Sequence, residues 1–599
     1  MNHPKYDQIV FADFESYFAP KEGYTLTKMT TIEYVRDERW LTLGCAVSLN
    51  DEPSQYLSGD ALQAWFDAID WTRTAFAAFN CLFDGTVLTQ QYGIFPAYYI
   101  CTLAVCRALL PIDRHNLKTV APLLGLGDKL DALVAGAKTN TIGMDIYANR
   151  DNELNHDIWA MLYPMLPVME QDLISLTIRG GVEPTLVLDR TVLEQVRGDA
   201  VAARNAAIEA SGVAESVLTS NQQFGALLRK MGLTPPTKLS EATGEETDAF
   251  AKGDAEFVEF MVAYPEHNHL WRGREAAKSN INISRAEKFL RIEASGKTTS
   301  MPLNYCGAHT GRSSGADGMN VQNLPNKYKS NMRKAFTAPE GYVIVVVDSA
   351  QIELRVNMWQ TGQTDKLEVL RNGGDIYKVE AATQFGISQD EVTKEQRQYG
   401  KLCQLGLGFG LGSKKFRLIA GAGPLGMDPI YMSMEEAYDT VNKYRANNEC
   451  IPKFWQQLNE RIHQMTLPTC REKQGCVTFT HEAIELPSGR VLQYPGLMQT
   501  EEGQWVYGID KKTKFIWGGT MCENLTQALA RDIVFEQMLE IDKKYRVVSS
   551  THDEVLYLAK IEDAEEALAF GIKVMSTSPS WAPDLPVSAE GGYDHSYSK

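Results

Sequence analysis

Apolar and polar positions alternate near the start of the chain, from residue 9 to residue 15. This alternation predicts a β-strand with Asp13 and Glu15 on the same face. Two neighbouring carboxylates repel each other unless a cation lies between them. The pair is therefore a candidate for metal binding, and salt bridges to basic side chains are the alternative.

A second apolar run predicts another strand, and Asp84 follows it closely. A helical pattern begins at Tyr147, which places Tyr147 and Asp151 one helical turn apart. Asp145 and Asp157 lie near the same helix, and only the spacing from Tyr147 favours Asp151. Four acids in three separated segments are thus predicted to converge on a pair of metal ions.

Two further acids follow apolar strands in the C-terminal half. Residues 342–347 lead directly to Asp348, and Asp553 lies at the tip of a turn between two apolar segments. An unpaired carboxylate after three buried valines would be costly, which favours metal binding by Asp348. We expect both aspartates to share one metal site, with Glu554 pointing elsewhere because side chains alternate along a strand.

Cations lie between these two acids along the chain. Arg397 and Lys401 are four positions apart, so in a helix they share one face and can hold a triphosphate. Leu405 and Phe409 continue the same spacing and predict an apolar stripe for base and sugar. Alternate glycines follow Leu405, and because each weakens a helix by about 1 kcal/mol, the helix is predicted to end or bend near Leu405.

Breaks in the pattern indicate the domain organisation. Residues 179–184 contain a Gly-Gly pair and a proline, which indicate a turn early in a second domain, so a boundary is predicted near residue 165. The pattern is helical from about residue 190 to 290, apart from loop signals at residues 234–236 and 240–247. Helices from about residue 365 to 475 indicate an insertion within an α+β domain.

The composition is that of a folded protein with several domains. The chain has 599 residues, 44% of them apolar and 23% charged. No apolar stretch is long enough to span a bilayer, and the first residues do not form a signal region, so we expect a cytoplasmic protein without membrane contact. The ten cysteines lack zinc-ligand spacing, which predicts reduced thiols.

The net charge of −17 argues against a uniformly basic surface. It does not exclude a nucleic-acid partner, because contact with phosphates needs only a locally basic groove. The candidates for such a groove are Lys278, Arg285, Lys288, Lys327, Lys329, Arg333, Lys334, Lys511, Lys512 and Lys514.

The segments Asp348–Arg355, Arg397–Gly410 and His552–Glu554 resemble motifs A, B and C of family A DNA polymerases, the DNA polymerase I-like enzymes. Similarity extends over about residues 270 to 560. The other segments that carry it are Thr310–Arg312, Gln322–Pro325, Arg333 with Ala335 and Phe336, and Glu523–Gln527. The N-terminal acids resemble the DEDDy 3′–5′ proofreading exonuclease of the same family.

The resemblance implies roles at the polymerase site. Asp348 and Asp553 would hold metal ions, and Arg397 and Lys401 would bind the triphosphate, with Lys401 also donating a proton to pyrophosphate. Glu353 matches the residue that excludes a ribose 2′ hydroxyl. The remaining implied contacts are Leu405 and Phe409 with the nucleotide, and Arg312, Gln322, Asn323, Gln527 and His552 with DNA. Leu405 departs from the aromatic residue that many relatives carry there.

At the exonuclease site the resemblance implies metal binding by the four acids, while Tyr147 orients the attacking water. The four are Asp13, Glu15, Asp84 and Asp151. The implied cofactor is Mg²⁺, two ions at each site, for which Mn²⁺ can substitute.

The implied fold is a multidomain α/β and α+β protein, with an RNase H-like exonuclease domain followed by a right-hand polymerase domain. The expected bounds are 1–165 for the exonuclease and 166–599 for the polymerase, with the thumb at about 190–290, the palm at 291–365 and 476–599, and the fingers at 366–475.

The sequence predicts a template-directed DNA polymerase with proofreading. The expected partners are primer-template DNA and deoxynucleoside triphosphates, and we expect a monomer; replisome partners are not indicated. No 5′ nuclease region precedes Asp13, a layout that resembles phage replicative polymerases. The alternatives are an exonuclease with an inactive polymerase half and a DNA clamp without catalysis.

Overall fold

The computed structural model describes residues 4–130, 143–240, 244–251, 254–324, 330–423, 429–508 and 513–598. The first strands are β1 (Gln8–Ser16), β2 (Thr42–Leu49), β3 (Gln55–Leu57), β4 (Thr74–Ala78) and β5 (Tyr98–Cys101). They form a sheet in the order β3-β2-β1-β4-β5, in which β1 is antiparallel to β2 and parallel to β4. Strand β1 is therefore central.

Helices pack against this sheet, directly or through one another. They are α1 (Thr31–Arg36), α2 (Gly59–Asp67), α3 (Cys81–Gln91), α4 (Thr102–Leu109), α5 (Leu117–Leu123) and α6 (Met144–Leu162). Val10 and Phe11 of β1 are fully buried, and the Phe11 ring meets the Trp159 ring of α6 edge-on at 5.0 Å. This contact holds α6, the helix of Tyr147 and Asp151, across the strand of Asp13 and Glu15.

The segment predicted as a turn at residues 179–184 belongs mostly to helix α7 (Val168–Val182). The reason is close packing. A Cβ added at Gly180 would lie 2.6 Å from the Val548 carbonyl oxygen, and one added at Gly181 would lie 2.6 Å from Leu82. The glycines therefore let α7 fit between the N-terminal part, which contains Leu82, and the C-terminal sheet, which contains Val548.

The region predicted as the thumb is mainly helical. Its elements are α8 (Arg190–Ala210), α9 (Glu215–Thr219), α10 (Asn221–Lys230), α11 (Ala255–Ala263), α12 (Asn268–Lys278), α13 (Ile281–Gly296), β7 (Thr237–Leu239) and β8 (Glu246–Asp248). The loop prediction for residues 240–247 is corrected at its end, because β8 begins at Glu246 and pairs with β7.

A four-stranded sheet forms the core of the C-terminal part. Its strands are β13 (Tyr342–Ser349), β21 (Arg546–Thr551), β22 (Glu554–Lys560) and β23 (Ala589–Asp594), in the order β21-β22-β13-β23. Helices α21 (Gly518–Asp542) and α22 (Ala564–Met575) pack beside it. Short strands β6 (Leu186–Leu188), β9 (Thr298–Thr299), β10 (Leu303–Asn304), β11 (Ser314–Gly315) and β12 (Phe336–Thr337) lie in two smaller sheets.

The predicted helical insertion follows β13. Its helices are α14 (Ile352–Thr361), α15 (Thr364–Arg371), α16 (Ile376–Phe385), α17 (Lys394–Leu407), α18 (Ser413–Gly421), α19 (Met434–Asn447) and α20 (Cys450–Met465). Two small sheets then lead to α21. Their strands are β14 (Arg471–Gln474), β15 (Val477–Thr480), β16 (Ala483–Glu485), β17 (Val491–Gln493), β18 (Met498–Gln499), β19 (Trp505–Tyr507) and β20 (Lys514–Ile516).

The cysteines are all free thiols. Among the helices that the structure describes, none is both long enough and apolar enough to cross a membrane.

Hydrogen bonds join the N-terminal part to the rest of the chain. The backbone N–H of Thr31 donates to the Asp317 carboxylate at 2.8 Å, and the Thr31 hydroxyl donates to it at 3.0 Å. Arg36 donates to the Thr298 carbonyl at 2.8 Å, and Arg291 forms an ion pair with Glu33 at 2.8 Å.

Asp317 is expected to make the stability of this junction depend on pH. Burial raises its pKa from the ordinary 3.8 to about 6, against the effect of the Thr31 hydrogen bonds. The folded state therefore binds this proton more tightly than the unfolded state, so the contribution of Asp317 to stability falls as pH rises from about 4 to about 6 and does not change further above that range. One pKa unit is about 1.36 kcal/mol, so the change is at most about 3 kcal/mol.

Urea unfolding of the wild type and of Asp317→Asn, measured from pH 4 to pH 8, tests this expectation. The neutral amide still accepts hydrogen bonds but does not ionise, so the free-energy difference between the two proteins should change across the stated window. A difference that is constant with pH would contradict it.

Candidate functional site

Asp348 and Asp553 lie side by side in the C-terminal sheet. Asp348 pairs with Glu554 in the ladder between β13 and β22, and the N–H of Ser349 donates to the Asp553 carbonyl at 3.0 Å. The β21–β22 turn carries His552 and Asp553, and His552 adopts a positive φ of 55°. The structure thus brings these two aspartates together at one end of the sheet, and their shared metal site stays a prediction.

Gln322 is hydrogen-bonded to the backbone of this turn. Its side-chain oxygen accepts from the His552 N–H at 3.4 Å, and its amide donates to the Ser550 carbonyl at 3.4 Å. Gln322 is only 6% exposed. Both ends of its amide thus contact protein backbone, which supports a role in shaping the turn; its DNA contact stays a prediction.

Glu554 points away from the aspartates, as alternation along β22 predicted. Its carboxylate accepts from Arg333 at 3.0 Å and from the Tyr597 hydroxyl at 2.7 Å. Arg333 also lies over the Tyr597 ring, 4.9 Å from its centroid. Arg333 is therefore occupied by this pair rather than directed toward an open groove.

Arg312 brings a positive charge close to Asp553. It forms an ion pair with Glu353 in the first turn of α14. Burial lowers the pKa of Arg312, and the nearby carboxylates of Asp553 and Glu523 oppose that shift. Glu353, which is predicted to exclude a 2′ hydroxyl, and Arg312, which is predicted to contact DNA, are thus bonded to each other next to Asp553.

The other predicted DNA contacts surround this group. Gln527 accepts a hydrogen bond from the Thr310 hydroxyl at 3.5 Å and donates to Glu523 at 3.2 Å. Asn323 donates to the Asn320 side chain at 3.0 Å. Burial lowers the pKa of the His552 imidazole, and the Arg312 charge adds to the effect, so His552 is neutral at pH 7.

Helix α17 presents Arg397 and Lys401 toward one aromatic ring. Their cationic groups lie 5.3 Å and 6.0 Å from the centroid of the Tyr377 ring. Arg397 also donates to Asp375 at 2.5 Å. Because the helix begins with a capping box at Thr393 and its side chains repeat every 3.6 residues, the two cations share one face, as predicted.

The helical stripe does not continue to Phe409. Helix α17 ends at Leu407, close to the predicted end, so Phe409 lies in the following turn and not on the helix. Gly410 has a φ of 85°, and an added Cβ would overlap the Trp517 ring, which requires glycine. Leu405 is 37% exposed, which leaves its side chain available to a ligand.

Gly400 allows α17 to approach α16 closely. A Cβ added at Gly400 would overlap the Tyr377 carbonyl oxygen, whereas one added at Gly406 on the same helix would meet its nearest atom, in Leu411, at 3.5 Å. Gly400→Ala should therefore push α17 away and displace Arg397 and Lys401.

We expect Gly400→Ala to reduce stability by about 1–3 kcal/mol, the usual cost of overpacking. Gly406→Ala is the matched control and should be neutral or stabilising by up to about 1 kcal/mol, because alanine favours a helix. Urea unfolding of both variants measures the difference, and equal stabilities would show that the helix contact is not tight.

In the N-terminal part, Asp13, Glu15 and Asp84 form an acidic cluster. The N–H of Phe14 donates to Asp84 at 3.0 Å, which brings α3 against β1. Burial raises the pKa of all three carboxyl groups, and the charge of Asp13 raises those of Glu15 and Asp84 further. The negative charge of these three carboxyl groups is thus not balanced by the cations around them.

Asp151 and Tyr147 join this cluster from α6. Asp151 is buried, one of its oxygens accepts from Lys129, and the other has no hydrogen-bond partner among the described residues. The Lys129 ammonium lies 4.7 Å from the Tyr147 ring centroid and lowers the pKa of Asp13 and Glu15. Asp157, the alternative to Asp151, contacts His156 instead.

Lys129 was not predicted, because a single lysine in a loop carries no periodic signal. Across the parts of the chain with described structure, no three His, Cys, Asp or Glu side chains form a group arranged to hold a metal ion by themselves. The donor sets still fit hard divalent cations: carboxylates at both sites, and at the second a buried oxygen of Asp151 without a partner.

The residues of the predicted basic groove lie partly within the described structure. Lys327, Lys329, Lys511 and Lys512 lie outside the described residues. Two others contact protein backbone, since Lys288 donates to the Gly318 carbonyl at 2.5 Å and Arg285 to the Asn323 carbonyl at 2.8 Å.

Comparison with known proteins gives one family. Residues 190–479 match the model of DNA polymerase family A. A DNA polymerase of Bacillus phage SP02 is 30% identical over 290 residues, which cover 45% of this chain and 43% of that protein. DNA polymerase I of Pseudomonas aeruginosa is 26% identical over 387 residues, which cover 63% of this chain and 37% of that protein. The alignments thus span less than half the length of these relatives.

A solved structure resembles the whole fold. It is the POL domain of Pol1 from M. smegmatis in complex with a DNA primer-template and dNTP, with a TM-score of 0.69 and 18% sequence identity. The alignment covers 98% of this chain and 95% of that one, so the likeness in fold includes the N-terminal sheet.

Proposed function

We propose that this chain is a DNA polymerase of family A, whose model matches residues 190–479, and that it extends a primer on a DNA template and proofreads the product with a 3′–5′ exonuclease. The observation that carries the proposal is the meeting of Asp348 and Asp553 at one end of the sheet. The structural neighbour was solved with primer-template DNA and dNTP, which supports the same substrates here.

The family depends on divalent metal ions in general. Bound at Asp348 and Asp553, two such ions would stabilise the charge that develops on the attacking and leaving oxygens. The protein's own groups then orient the substrates: Arg397 and Lys401 bind the triphosphate, and Lys401 donates a proton to the departing pyrophosphate. Lys401 lies on the same helical face as Arg397, as this division of roles requires.

Sugar selection is assigned to Glu353. Its ion pair with Arg312 fixes the carboxylate at the start of α14, so a ribose 2′ hydroxyl would meet a group that cannot easily move. Phe409 forms the other wall. Arg312, Asn323, Gln527 and His552 are proposed to contact the primer terminus or template, and the neutral His552 can accept a hydrogen bond from DNA.

The N-terminal cluster is proposed as the proofreading site. Asp13, Glu15, Asp84 and Asp151 would hold two divalent ions, and Tyr147 would orient the water that attacks the terminal phosphodiester. Burial and the neighbouring Glu15 and Asp13 charges raise the pKa of the Tyr147 phenol, so it stays protonated and donates a hydrogen bond.

The cytoplasmic location, the monomeric state and the expected domain bounds remain predictions. A role in phage genome replication is supported by the similarity to phage DNA polymerases.

One experiment tests the whole proposal. A labelled primer with a mismatched 3′ end, annealed to a DNA template, is incubated with the protein and Mg²⁺ with and without deoxynucleotides. Extension with them and shortening without them is the expected result. Shortening alone would indicate a nuclease with an inactive polymerase half, and neither activity, in folded protein that binds DNA, would indicate a clamp.

A further inference from the structure

A buried group of charged side chains lies apart from both acidic sites. Glu170 belongs to α7, Arg531 and Asp532 belong to α21, and Arg490 immediately precedes β17. They are 0%, 3%, 1% and 9% exposed in that order. Charges are costly to bury unless they are paired, so the arrangement of these four, named here the Glu170 cluster, needs an explanation.

The pairing inside the Glu170 cluster is extensive. Arg531 donates to both Glu170 oxygens, at 2.7 Å and 3.0 Å, and to Asp532 at 3.1 Å. Arg490 donates to Asp532 at 2.8 Å. Burial alone would raise the pKa of Glu170, but the Arg531 and Arg490 charges outweigh it and lower that pKa, so the carboxylate is ionised.

The two arginines have further donors, and these bind one short piece of backbone. Arg531 Nε donates to the Gly311 carbonyl at 3.1 Å, and Arg490 donates to the Thr310 carbonyl at 3.1 Å. Gly311 has a φ of 84°, and a Cβ there would overlap the Arg490 guanidinium. Two consecutive carbonyls are thus held by buried cations, and the next residue is Arg312.

We infer that the Glu170 cluster positions Arg312, the residue that pairs with Glu353 beside Asp553. In this assignment the four residues of the Glu170 cluster are positioning residues, because they act on the site only through the side chain of Arg312. The inference rests on the proposed polymerase function.

The cluster also connects the two halves of the chain. Helix α7 packs on the N-terminal sheet, where the Ser175 hydroxyl accepts from the Tyr99 N–H at 3.0 Å and the Thr89 hydroxyl donates to the Val182 carbonyl at 2.7 Å. Glu170 is therefore fixed by the N-terminal part while its charge partner fixes the Arg312 loop. A shift of α7 would be transmitted to Arg312 through Arg531.

A second ion pair between α7 and α21 provides a matched control. Arg179 pairs with Asp542, and Arg179 also donates weakly to the Val547 carbonyl at 3.4 Å. This pair joins the same two helices but lies at their C-terminal ends, and among the described residues it makes no hydrogen bond to residues 310–312. Loss of either pair weakens the helix contact, whereas only loss of the Glu170 cluster should affect Arg312.

The test is a double-mutant cycle. Glu170→Gln and Arg312→Ala are made singly and together in the full chain, and primer-extension kcat and KM for dNTP are measured with primer-template affinity, which requires no turnover. We expect Glu170→Gln to lower kcat/KM about tenfold in the wild-type background and to have almost no effect when Arg312 is already alanine. Arg179→Gln should leave kcat/KM for dNTP and the affinity for primer-template unchanged.

Arg531→Lys keeps the positive charge beside Glu170 but removes the Nε donor to Gly311, so it covers the case in which Glu170→Gln does not fold. Shortening of a single-stranded oligonucleotide reports that each variant is folded. Equal effects of Glu170→Gln or Arg531→Lys with and without Arg312 would overturn the inference. Failure of the wild type to extend any primer would instead overturn the proposed function.

Discussion

Asp348→Asn is expected to reduce the rate of primer extension by about 10³-fold. The carboxylate belongs to one of the two aspartates, Asp348 and Asp553, that meet at the end of the C-terminal sheet, and the amide binds divalent ions poorly. Metal ions contribute several kcal/mol to stabilising such a reaction, and each 1.36 kcal/mol is a factor of ten. Single-turnover extension measures the loss.

Two comparisons make this result specific. Asp594→Asn changes an acid on β23, in the same sheet but opposite Ile344, and should extend primers at the wild-type rate. Shortening of a single strand by Asp348→Asn should also be unchanged, because that activity is assigned to the N-terminal cluster. Wild-type extension by Asp348→Asn would mean that the aspartate does not act in catalysis.

Asp13→Asn is expected to reduce the rate of primer shortening by about 10³-fold, as Asp348→Asn reduces the rate of extension, while primer extension by Asp13→Asn continues. Asp13 is central to the acidic cluster, since its charge raises the pKa of both Glu15 and Asp84. Removing that charge relieves repulsion, so without metal the variant should unfold at a temperature equal to or above that of the wild type.

Asp157→Asn is the matched control for this prediction. Asp157 lies on α6 near Asp151 but contacts His156 and not the cluster. Its variant should shorten primers normally, whereas Asp151→Asn should not. If Asp157→Asn were inactive and Asp151→Asn active, the assignment of the fourth acid would be reversed.

The sequence was informative where chemistry and periodicity coincide. Asp13 with Glu15, and Asp348 after its valines, could be placed because a strand has a fixed period of two residues. Arg397 and Lys401 could be placed because a helix brings positions four apart together. These features are local, and each needs only a few neighbouring residues.

The features that the sequence did not predict are contacts between segments far apart in the chain. The Gly-Gly pair in α7 resembles a turn until Leu82 and Val548 are seen to approach the helix on two sides. Phe409 continues the four-residue spacing in the sequence, but α17 ends at Leu407, and the Trp517 ring leaves no room for a Cβ at Gly410. Glu170 and Arg531 are separated by 361 residues, and no pattern within either segment shows the pairing.

Strand β23 has a consequence for how the protein is made. It is an edge of the sheet that carries Asp348, so that sheet is complete only after residue 594 has left the ribosome. The N-terminal sheet and the helices that pack on it, including α7, are complete by residue 182. At about 5–20 residues per second, synthesis of the intervening chain takes roughly 20–80 s. During that interval each nascent chain would carry the whole acidic cluster proposed for proofreading, but not yet the sheet whose aspartates are proposed for primer extension.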